Sequence, residues 1–487
     1  MSRRARDPAS RPDTRPHRPE PTMIDPLFPD HAALASAEND LTERLDAVRR
    51  ASASRKLAVG GVPSAAWLRE LRDTRFDGPR ELPGLMDWVM DGLESGMVHM
   101  THPGYLGLFN PAPTFAAECA DRIAAAFNPQ ICVYSHAAAA VEIELHVIRE
   151  VALRAGLPEG SGGHFTSGGA EANHAATLCA LQANCPAYGE RGVSAFAGPP
   201  SVYVSRESHL AWLKIAHATG IGRNAVRLVA TDGHGRMNPR ALQEAVAADI
   251  GKGCVPVMIA ATAGTTNAGM IDPLTPCGEL ARRHGAWFHV DAAWGGALVA
   301  SAVHRKALDG IERADSVTID AHKWFATTMG AGMFLTARPE IPAQVFRVYT
   351  SYMPAGEAGK DFYANSNQWS RRFVGLRLFL ALGAAGWDGF AGHVARSIRL
   401  TGRLVRQLQR QGWSLVNASP MAVACLVPPQ GHEAVRRYVD AVLEDGRYWV
   451  SEASFEGRPA LRACVTNGRT SERDIDSLAE FLASVRV

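Results

Sequence analysis

The chain has 487 residues, of which 46% are hydrophobic and 21% are charged, and its formal net charge at pH 7 is +2. This length exceeds what one hydrophobic core usually supports, so we expect two or three domains that share interfaces. A nearly balanced charge argues against a nucleic-acid-binding protein held by a basic field. The sequence has no run of about 18 apolar residues, so it predicts no membrane-spanning helix and no membrane partner.

The eight cysteines are scattered along the chain, and none of them forms a CxxC pair. This distribution is typical of buried thiols in a reducing compartment. It therefore predicts a cytoplasmic protein without a disulfide framework and without a zinc site.

Residues 1–22 differ in composition from the rest of the chain. They hold six arginines and five prolines, but no large aliphatic side chain beyond the initiating methionine. Such a segment cannot bury enough apolar surface to offset the entropy lost on ordering, so we expect a disordered tail. It also lacks the apolar stretch of a signal peptide.

Residues 23–110 are predicted to form an N-terminal helical segment. Apolar residues recur at helical spacing over about 30–54 and again over 84–96. These helices have apolar stripes but no sheet of their own, so we expect them to pack on the second subunit of a homodimer. The loop His102–Gly107 is rich in turn formers, and loops of this kind often line functional sites.

Residues 111–371 are predicted to form a large α/β domain. Two helices, at about 112–127 and 137–155, precede an alternation of strands and helices. The strands are expected at 163–167, 201–205, 226–230, 255–262, 286–291, 316–320 and 332–336, with helices between them at 170–183, 207–219, 239–248 and 274–284. Such alternation predicts a mostly parallel sheet with helices on both faces. Ligands bind such sheets at the carboxyl ends of the strands.

Residues 372–487 are predicted to form a small C-terminal α+β domain. It begins with a long helix that runs to about residue 410. Strands at 413–417 and 421–427, a helix at 431–445, strands at 448–454 and 459–466 and a helix at 470–486 follow.

The stretch Ser316–Phe325 is the most informative part of the chain. A β-branched run predicts a buried strand, and the strand ends in an acid, a histidine and Lys323. A lone amine that is desolvated at such a place loses pKa and can form a Schiff base with a carbonyl. The alternative for Lys323 alone is a solvated strand end.

A second strand, within Trp287–Gly296, ends in the single carboxylate of Asp291. Taken alone, Asp291 could equally be a helix cap or a turn residue. A Schiff-base lysine together with a buried acid that keeps a pyridine nitrogen protonated is what pyridoxal phosphate requires. The pair therefore predicts a pyridoxal-phosphate enzyme.

Three further motifs follow predicted strands. Gly168–Gly169 opens a helix, where free N–H groups favour a phosphate, although a glycine pair is also common in plain tight turns. His209 could lie flat on a pyridine ring or face solvent at a helix start. Thr266 lies in a hydroxyl-rich turn that could hydrogen-bond a cofactor or simply form the turn.

These motifs resemble those of the group II pyridoxal-phosphate-dependent decarboxylases, the family of aromatic amino-acid and glutamate decarboxylases. The matching segments are His289–Ala293, Asp320–Trp324, Gly264–Thr266, His102–Pro103 and Arg371–Phe373. They run in family order from about residue 30 to the C-terminus. The resemblance implies fold type I, the aspartate-aminotransferase-like fold, together with a homodimer.

The resemblance also implies roles for individual residues. Lys323 matches the Schiff-base lysine, Asp291 the partner of the ring nitrogen and His209 the ring-stacking histidine. The other cofactor-binding positions are Gly169, Ala170, Thr266, Ala293 and His322. Asp320 departs from the family pattern because many relatives have asparagine there, and an acid beside a phosphate is unfavourable unless it is paired or turned away.

A polar loop at about 349–368 matches the family's mobile catalytic loop. The resemblance implies that Tyr352 protonates the substrate carbon after carbon dioxide leaves, with Tyr349 and Tyr363 as rivals. Tyr105, Phe109 and Asn110 fall where the family builds its substrate pocket. Aromatic-substrate relatives are apolar there, and acidic-substrate relatives have an asparagine near the position of Asn110. The chain shows both kinds of feature, along with Trp212, Trp294 and the region of His136, and the expected substrate is an aromatic or other bulky amino acid.

The predicted reaction is decarboxylation of an L-amino acid to an amine and carbon dioxide. One alternative is a decarboxylating oxidative deaminase, or aldehyde synthase, and another is an aminotransferase. Arg462 resembles the carboxylate-binding arginine of aminotransferases, but it could equally be a strand arginine paired with an acid. A non-catalytic binding protein is poorly supported because Lys323 and Asp291 are both present.

Overall fold

The computed structural model describes residues 27–54, 58, 60–349 and 360–486. The predicted tail at 1–22 and most of the segment around Tyr352 lie outside these residues. The chain divides into two compact units, one comprising the residues up to 54 with 63–95, and the other comprising 55–62 with 96–487.

The first unit is helical. It contains α1 (His31–Ser54), α2 (Ala65–Asp73) and α3 (Leu82–Ser95). The rings of Trp67 and Trp88 stack with their centroids 4.6 Å apart, which joins α2 to α3. Gly92 lies directly under this stack, because a Cβ there would lie 2.4 Å from the Trp67 indole. An ion pair between Arg44 and Asp87 links α1 to α3.

The second unit is built on a seven-stranded sheet. Its strands are β1 (Gly162–Thr166), β2 (Pro200–Ser205), β3 (Val226–Val229), β4 (Val255–Thr262), β5 (Trp287–Asp291), β6 (Ser316–Asp320) and β7 (Gly332–Thr336). Their order in the sheet is β1-β7-β6-β5-β4-β2-β3. Strand β7 runs antiparallel to the other six. All seven agree with the predicted strands to within one residue. The predicted mostly parallel sheet is confirmed.

Helices cover both faces of this sheet. In chain order they are α4 (Phe115–Phe127), α5 (Ala138–Ala155), α6 (Gly169–Asn184), α7 (Tyr188–Arg191), α8 (Ala211–Ala218), α9 (Pro239–Gly251), α10 (Leu274–Arg283), α11 (Glu340–Phe346) and α12 (Gly375–Arg410). One apolar layer includes residues of α6 and α8, and a second includes residues of α5, α9, α10 and α12. Within α12 the backbone leaves helical geometry at Gly386, whose φ of +63° suits glycine.

A second sheet and two more helices complete the chain. The strands β8 (Ser414–Leu415), β9 (Val423–Val427), β10 (Ser451–Phe455) and β11 (Arg458–Cys464) pair antiparallel in the order β10-β11-β9-β8. The helices are α13 (Val435–Asp445) and α14 (Glu472–Ser484), and both contribute to a separate apolar core with the C-terminal half of α12. The predicted α+β character of this region is confirmed.

All eight cysteines are free thiols, five of them buried and three half-buried. Burial raises the pKa of the Cys179 and Cys277 thiols, which favours the protonated form. Among the described residues, no helix combines the length and the apolar character needed to cross a bilayer.

Candidate active site

The carboxyl ends of the parallel strands meet at one cavity. It is lined by side chains and backbone from the ends of β4, β5 and β6, from the start of α6 and from the loop before α8. The lining residues are Gly169, Ala170, Asn173, His209, Thr262, Gly264, Thr266, Asp291, Ala293, Trp294, Asp320 and Lys323. Seven of the eight cofactor-binding positions predicted from the sequence therefore share one cavity, and His322 is the exception.

Lys323 does not stand alone, contrary to the expectation from the sequence. Its Nζ lies 3.1 Å from Oδ2 of Asp320, three residues earlier in the turn that follows β6. The Lys323 side chain is 23% exposed, whereas that of Asp320 is almost fully buried. The acid that the sequence placed beside the phosphate is thus paired rather than turned away. Its other oxygen, Oδ1, is buried without a hydrogen-bond partner among the described residues.

Asp291, at the end of β5, is buried and accepts two hydrogen bonds. The backbone N–H of Ala293 donates to its Oδ1 over 3.1 Å, and the side-chain amide of Asn173 donates to its Oδ2 over 2.8 Å. Both donors stabilise the ionised carboxylate. An anion held in this way can keep a ring nitrogen protonated.

The start of α6 fits a phosphate group. Gly168 provides no side-chain cap, so the first N–H groups of a 16-residue helix lack that partner. A Cβ on Gly169 would lie 3.0 Å from Oδ2 of Asp320 and 3.3 Å from Cβ of Ala293. Only glycine keeps this cradle open without displacing a neighbour.

His209 is exposed and lies just before α8. Its Nδ1 accepts a hydrogen bond from the backbone N–H of Ala211 over 3.2 Å, which leaves Nε2 as the N–H donor of the neutral ring. The neighbouring Ser208 hydroxyl lies 2.7 Å from the hydroxyl of Thr262 and joins this loop to the end of β4. The histidine therefore combines the two interpretations made from the sequence, because it is exposed and also lines the cavity.

His322 is buried behind the cavity rather than in its lining. Its Nδ1 accepts a hydrogen bond from the backbone N–H of Ala331 over 3.1 Å. Burial lowers its pKa, although the charge of Asp320 opposes that shift. Its Cε1 would lie 3.7 Å from a Cβ on Gly168, so the ring backs the start of α6.

The predicted pocket residues Tyr105, Phe109 and Asn110 are not among the residues that line this cavity. Phe109 stacks on Trp294 with centroids 4.3 Å apart, and Trp294 lines the cavity. Tyr105 stacks on Trp449, and burial raises the pKa of its phenol. The Asn110 amide lies 3.3 Å from the sulfur of Met329.

Arg462 donates to two carbonyls and a hydroxyl rather than to an acid within the described residues. Its Nε donates to Ser451 Oγ over 2.9 Å, its Nη1 to the carbonyl of Thr266 over 2.7 Å and its Nη2 to the carbonyl of Gly107 over 3.0 Å. The residue is 5% exposed. The interpretation as an arginine paired with an acid is therefore wrong.

The role of Asn173 was not predicted from the sequence, whereas Thr262 and Trp294 belong to stretches that the sequence points to. Asn173 lies one turn into α6, where an asparagine is normally read as a solvent-facing residue. The available signal was the alternation of Trp287, His289 and Asp291 along a buried strand, which requires polar partners from a covering helix. Tyr352 lies outside the described residues, so its role stays a prediction.

The fold and this set of side chains define a pyridoxal-phosphate enzyme of fold type I. Residues 67–425 match the family model described as "Pyridoxal-dependent decarboxylase conserved domain". The chain therefore belongs to the pyridoxal-dependent decarboxylases, is a carboxy-lyase and uses pyridoxal 5'-phosphate. The group II resemblance inferred from the sequence is confirmed.

Three curated relatives illustrate the range of this family. The chain is 27% identical to tyrosine decarboxylase 2 of Narcissus pseudonarcissus over 84% of this chain and 85% of that protein. It is 26% identical to phenylacetaldehyde synthase of Arabidopsis thaliana over 83% and 86%. It is 32% identical to cysteine sulfinic acid decarboxylase of Mus musculus over 63% and 64%.

A solved structure, that of mouse CSAD in apo form, superposes on the chain with a TM-score of 0.84 at 25% identity. The match covers 92% of this chain and 98% of that one.

Proposed function

We propose that this enzyme decarboxylates an L-amino acid with an aromatic or other bulky side chain to the amine and carbon dioxide. The observation that carries the proposal is the joint presence of Lys323, Asp291 and His209 around one cavity, whose lining includes Trp294 with Phe109 stacked behind it. Pyridoxal phosphate supplies the electron sink for the bonding pair that carbon dioxide leaves behind.

The proposed roles of the chain's own residues follow from their chemistry. Lys323 would supply the amine that binds the cofactor aldehyde, and Asp291 would supply the negative charge for its ring nitrogen. His209, a donor through Nε2, would help to hold the cofactor and to move a proton at the reacting carbon. Gly169 and Ala170 supply backbone N–H groups for the phosphate, with His322 behind them.

Arg462 is proposed to assist in binding the substrate carboxylate. Its support is a buried guanidinium that bonds the carbonyl of Thr266, a residue of the cavity wall. Its hydrogen-bond partners among the described residues are neutral, and a buried positive charge with neutral partners favours a nearby anion.

An aldehyde synthase is the second candidate, favoured by the similarity to phenylacetaldehyde synthase. A panel of L-amino acids scored for carbon dioxide, amine, ammonia and peroxide separates the two. The proposal predicts carbon dioxide and amine in equal amounts with aromatic substrates. Stoichiometric ammonia and peroxide would identify the aldehyde synthase, and keto-acid turnover without carbon dioxide would identify an aminotransferase.

We also propose that the enzyme is a homodimer. On α4, Phe115, Ile123 and Phe127 are 67%, 43% and 81% exposed and lie on one stripe. On α1, Leu34, Leu41 and Val48 recur every seven residues and are also exposed. Exposed apolar stripes on two helices support burial of these surfaces against a second copy of the chain. Sedimentation of the holoenzyme tests this, and an active monomer would contradict it.

A further inference from the structure

A chain of four hydrogen bonds ends on the carboxylate of Asp291. Trp287 Nε1 lies 2.8 Å from Ser316 Oγ, and Ser316 Oγ lies 2.8 Å from His289 Nδ1. His289 Nε2 lies 3.0 Å from Asn173 Oδ1, and Asn173 Nδ2 lies 2.8 Å from Asp291 Oδ2. All five residues are buried. We call this set the Trp287–Asp291 relay.

The sequence of β5 builds the relay. Trp287, His289 and Asp291 alternate along the strand and therefore share one face of the sheet. Phe288 and Val290 point to the other face, where they join a separate apolar layer. Ser316 is the register partner of His289 on the adjacent strand β6. Asn173 comes from α6, which packs over this face.

The direction of each hydrogen bond in the relay follows from its two ends and from the neutral form of His289. An indole N–H can only donate and a carboxylate can only accept. Asn173 must therefore donate through Nδ2, so its Oδ1 accepts the proton of His289 Nε2. His289 Nδ1 is then the acceptor of the Ser316 hydroxyl proton, and the hydroxyl oxygen accepts from the indole. Every donor points toward Asp291.

The imidazole in the middle of the relay is neutral. Burial lowers the pKa of His289 to about 4, even though the charge of Asp291 opposes the shift. The ring of Trp212 lies edge-on to it with centroids 5.7 Å apart, which closes the apolar side of the pocket. The single negative charge in the relay is that of Asp291. Aligned hydrogen bonds in a dry environment polarise one another and stabilise that charge.

We propose that Asn173 and His289 are positioning residues that hold the Asp291 carboxylate ionised and oriented toward the pyridine nitrogen of the cofactor. The inference rests on the role proposed above for Asp291. A merely structural network would also be buried and satisfied, but losing it would lower stability without changing the protonation of the ring nitrogen. That difference makes the proposal testable.

The test uses three relay variants in the pyridoxal-phosphate-loaded enzyme. Asn173→Leu keeps the volume of the side chain but removes the donor to Asp291. His289→Asn retains a group near Nδ1 but does not reach Asn173, whereas His289→Gln places an amide nitrogen near the former Nε2 and can still donate. Tyr203→Phe is the matched control, because Tyr203 lies on β2, away from Asp291, and the change removes a buried hydrogen bond to Asp249 of α9.

The main readout is the 15N chemical shift of 15N-labelled pyridoxal phosphate bound to each variant, which reports whether the ring nitrogen is protonated. The dissociation constant of the cofactor and the melting temperature of the apo chain are measured alongside. We expect Asn173→Leu and His289→Asn to shift the resonance toward the neutral ring and to lower kcat by about 10- to 100-fold, as the loss of an outer-shell partner does at metal sites. His289→Gln should recover most of the wild-type shift, and Tyr203→Phe should lower only the melting temperature.

Two outcomes would overturn the inference and are distinguishable. If Asp291→Asn shifts the resonance but Asn173→Leu and His289→Asn do not, the relay is structural while the role of Asp291 stands. If Asp291→Asn itself leaves the ring nitrogen protonated and turnover unchanged, the proposed role of Asp291 fails, and the relay loses its purpose with it.

Discussion

Lys323 and Asp320 form an ion pair across one turn, with Nζ 3.1 Å from Oδ2. The same carboxylate would lie 3.0 Å from a Cβ on Gly169, at the start of the helix proposed to bind phosphate. Asp320 is therefore close both to the Schiff-base amine and to the proposed phosphate site.

Replacing Asp320 by asparagine should therefore strengthen cofactor binding. The change removes a negative charge beside the phosphate while keeping the size of the side chain. Repulsion between two neighbouring negative charges is worth on the order of 1 kcal/mol or more, so we expect the dissociation constant of pyridoxal phosphate to fall by about 5-fold or more. Titration of the apo chain followed by absorbance measures this. Weaker binding by Asp320→Asn would show that the acid helps to hold the cofactor.

Gly169→Ala should weaken cofactor binding. The added methyl would lie 3.0 Å from Asp320 Oδ2 and 3.3 Å from Ala293 Cβ, so it occupies the cradle proposed for phosphate. Gly383→Ala is the matched control within α12, because a Cβ there meets no atom within 4 Å and alanine favours a helix by about 1 kcal/mol. We expect at least a tenfold rise in the cofactor dissociation constant for Gly169→Ala alone. Equal affinities in the two variants would place the phosphate elsewhere.

Acid should destabilise the fold through buried histidines. Burial lowers the pKa of His289 and His393 to about 4, from 6.5 for the exposed group, with Arg396 adding to the shift of His393. Because the unfolded chain binds these protons first, the stability is fully present above pH 6.5 and is lost as the pH falls toward 4. Each group contributes a slope of about 1.4 kcal/mol per pH unit in this window.

Urea unfolding of His393→Phe between pH 4 and 6.5 checks this prediction, and the free energy of unfolding should depend less steeply on pH than in the wild type.

Asp272 changes the free energy of unfolding with pH in the opposite direction, since burial raises its pKa to about 7. Its contribution is present below pH 3.8 and is lost as the pH rises through 7. In Asp272→Asn the free energy of unfolding should therefore fall more steeply as the pH is lowered from 6.5 to 4. An unchanged slope in both variants would contradict the assignment.

Tyr352→Phe should divert the product without stopping the release of carbon dioxide. If the phenol protonates the substrate carbon, its loss lets oxygen or a misplaced proton compete, and aldehyde and ammonia replace the amine. Tyr349, which is 90% exposed, and Tyr363, which packs against Trp369, provide the matched controls. Their phenylalanine variants should form amine at the wild-type rate and no aldehyde. A Tyr352→Phe enzyme that makes amine at the normal rate would remove this residue from the mechanism.

The order of strands and helices was predictable because each buried strand is a short β-branched or apolar run between turn formers. The predicted helix at 207–219 begins later, at Ala211, because the ring of His209 accepts the Ala211 N–H and holds a turn there. The strand predicted at 448–454 begins at Ser451, since Trp449 instead pairs with the loop at Tyr105 and Leu106. Pairing between distant segments is not encoded in local periodicity.

Only part of the cavity was predictable from local patterns in the sequence. Lys323, Asp291, His209 and Thr266 end or follow strands, and a parallel sheet brings such positions together. The partners that set their charge come from elsewhere in the fold. Asn173 reaches Asp291 because α6 packs on one particular face of β5, and the partners of Arg462 come from two distant loops. The alternation of polar residues along β5 indicates that a polar partner is needed there, but it does not identify the residue that supplies it.

The most direct test of the account is borohydride reduction of the holoenzyme followed by peptide mass spectrometry, performed on the wild type and on Lys323→Ala. We expect a reduced pyridoxyl adduct on Lys323 in the wild type. We expect no adduct on any residue of the variant, together with loss of carbon dioxide release from L-amino acids. An adduct on another lysine of Lys323→Ala, or carbon dioxide release at the wild-type rate, would contradict the account.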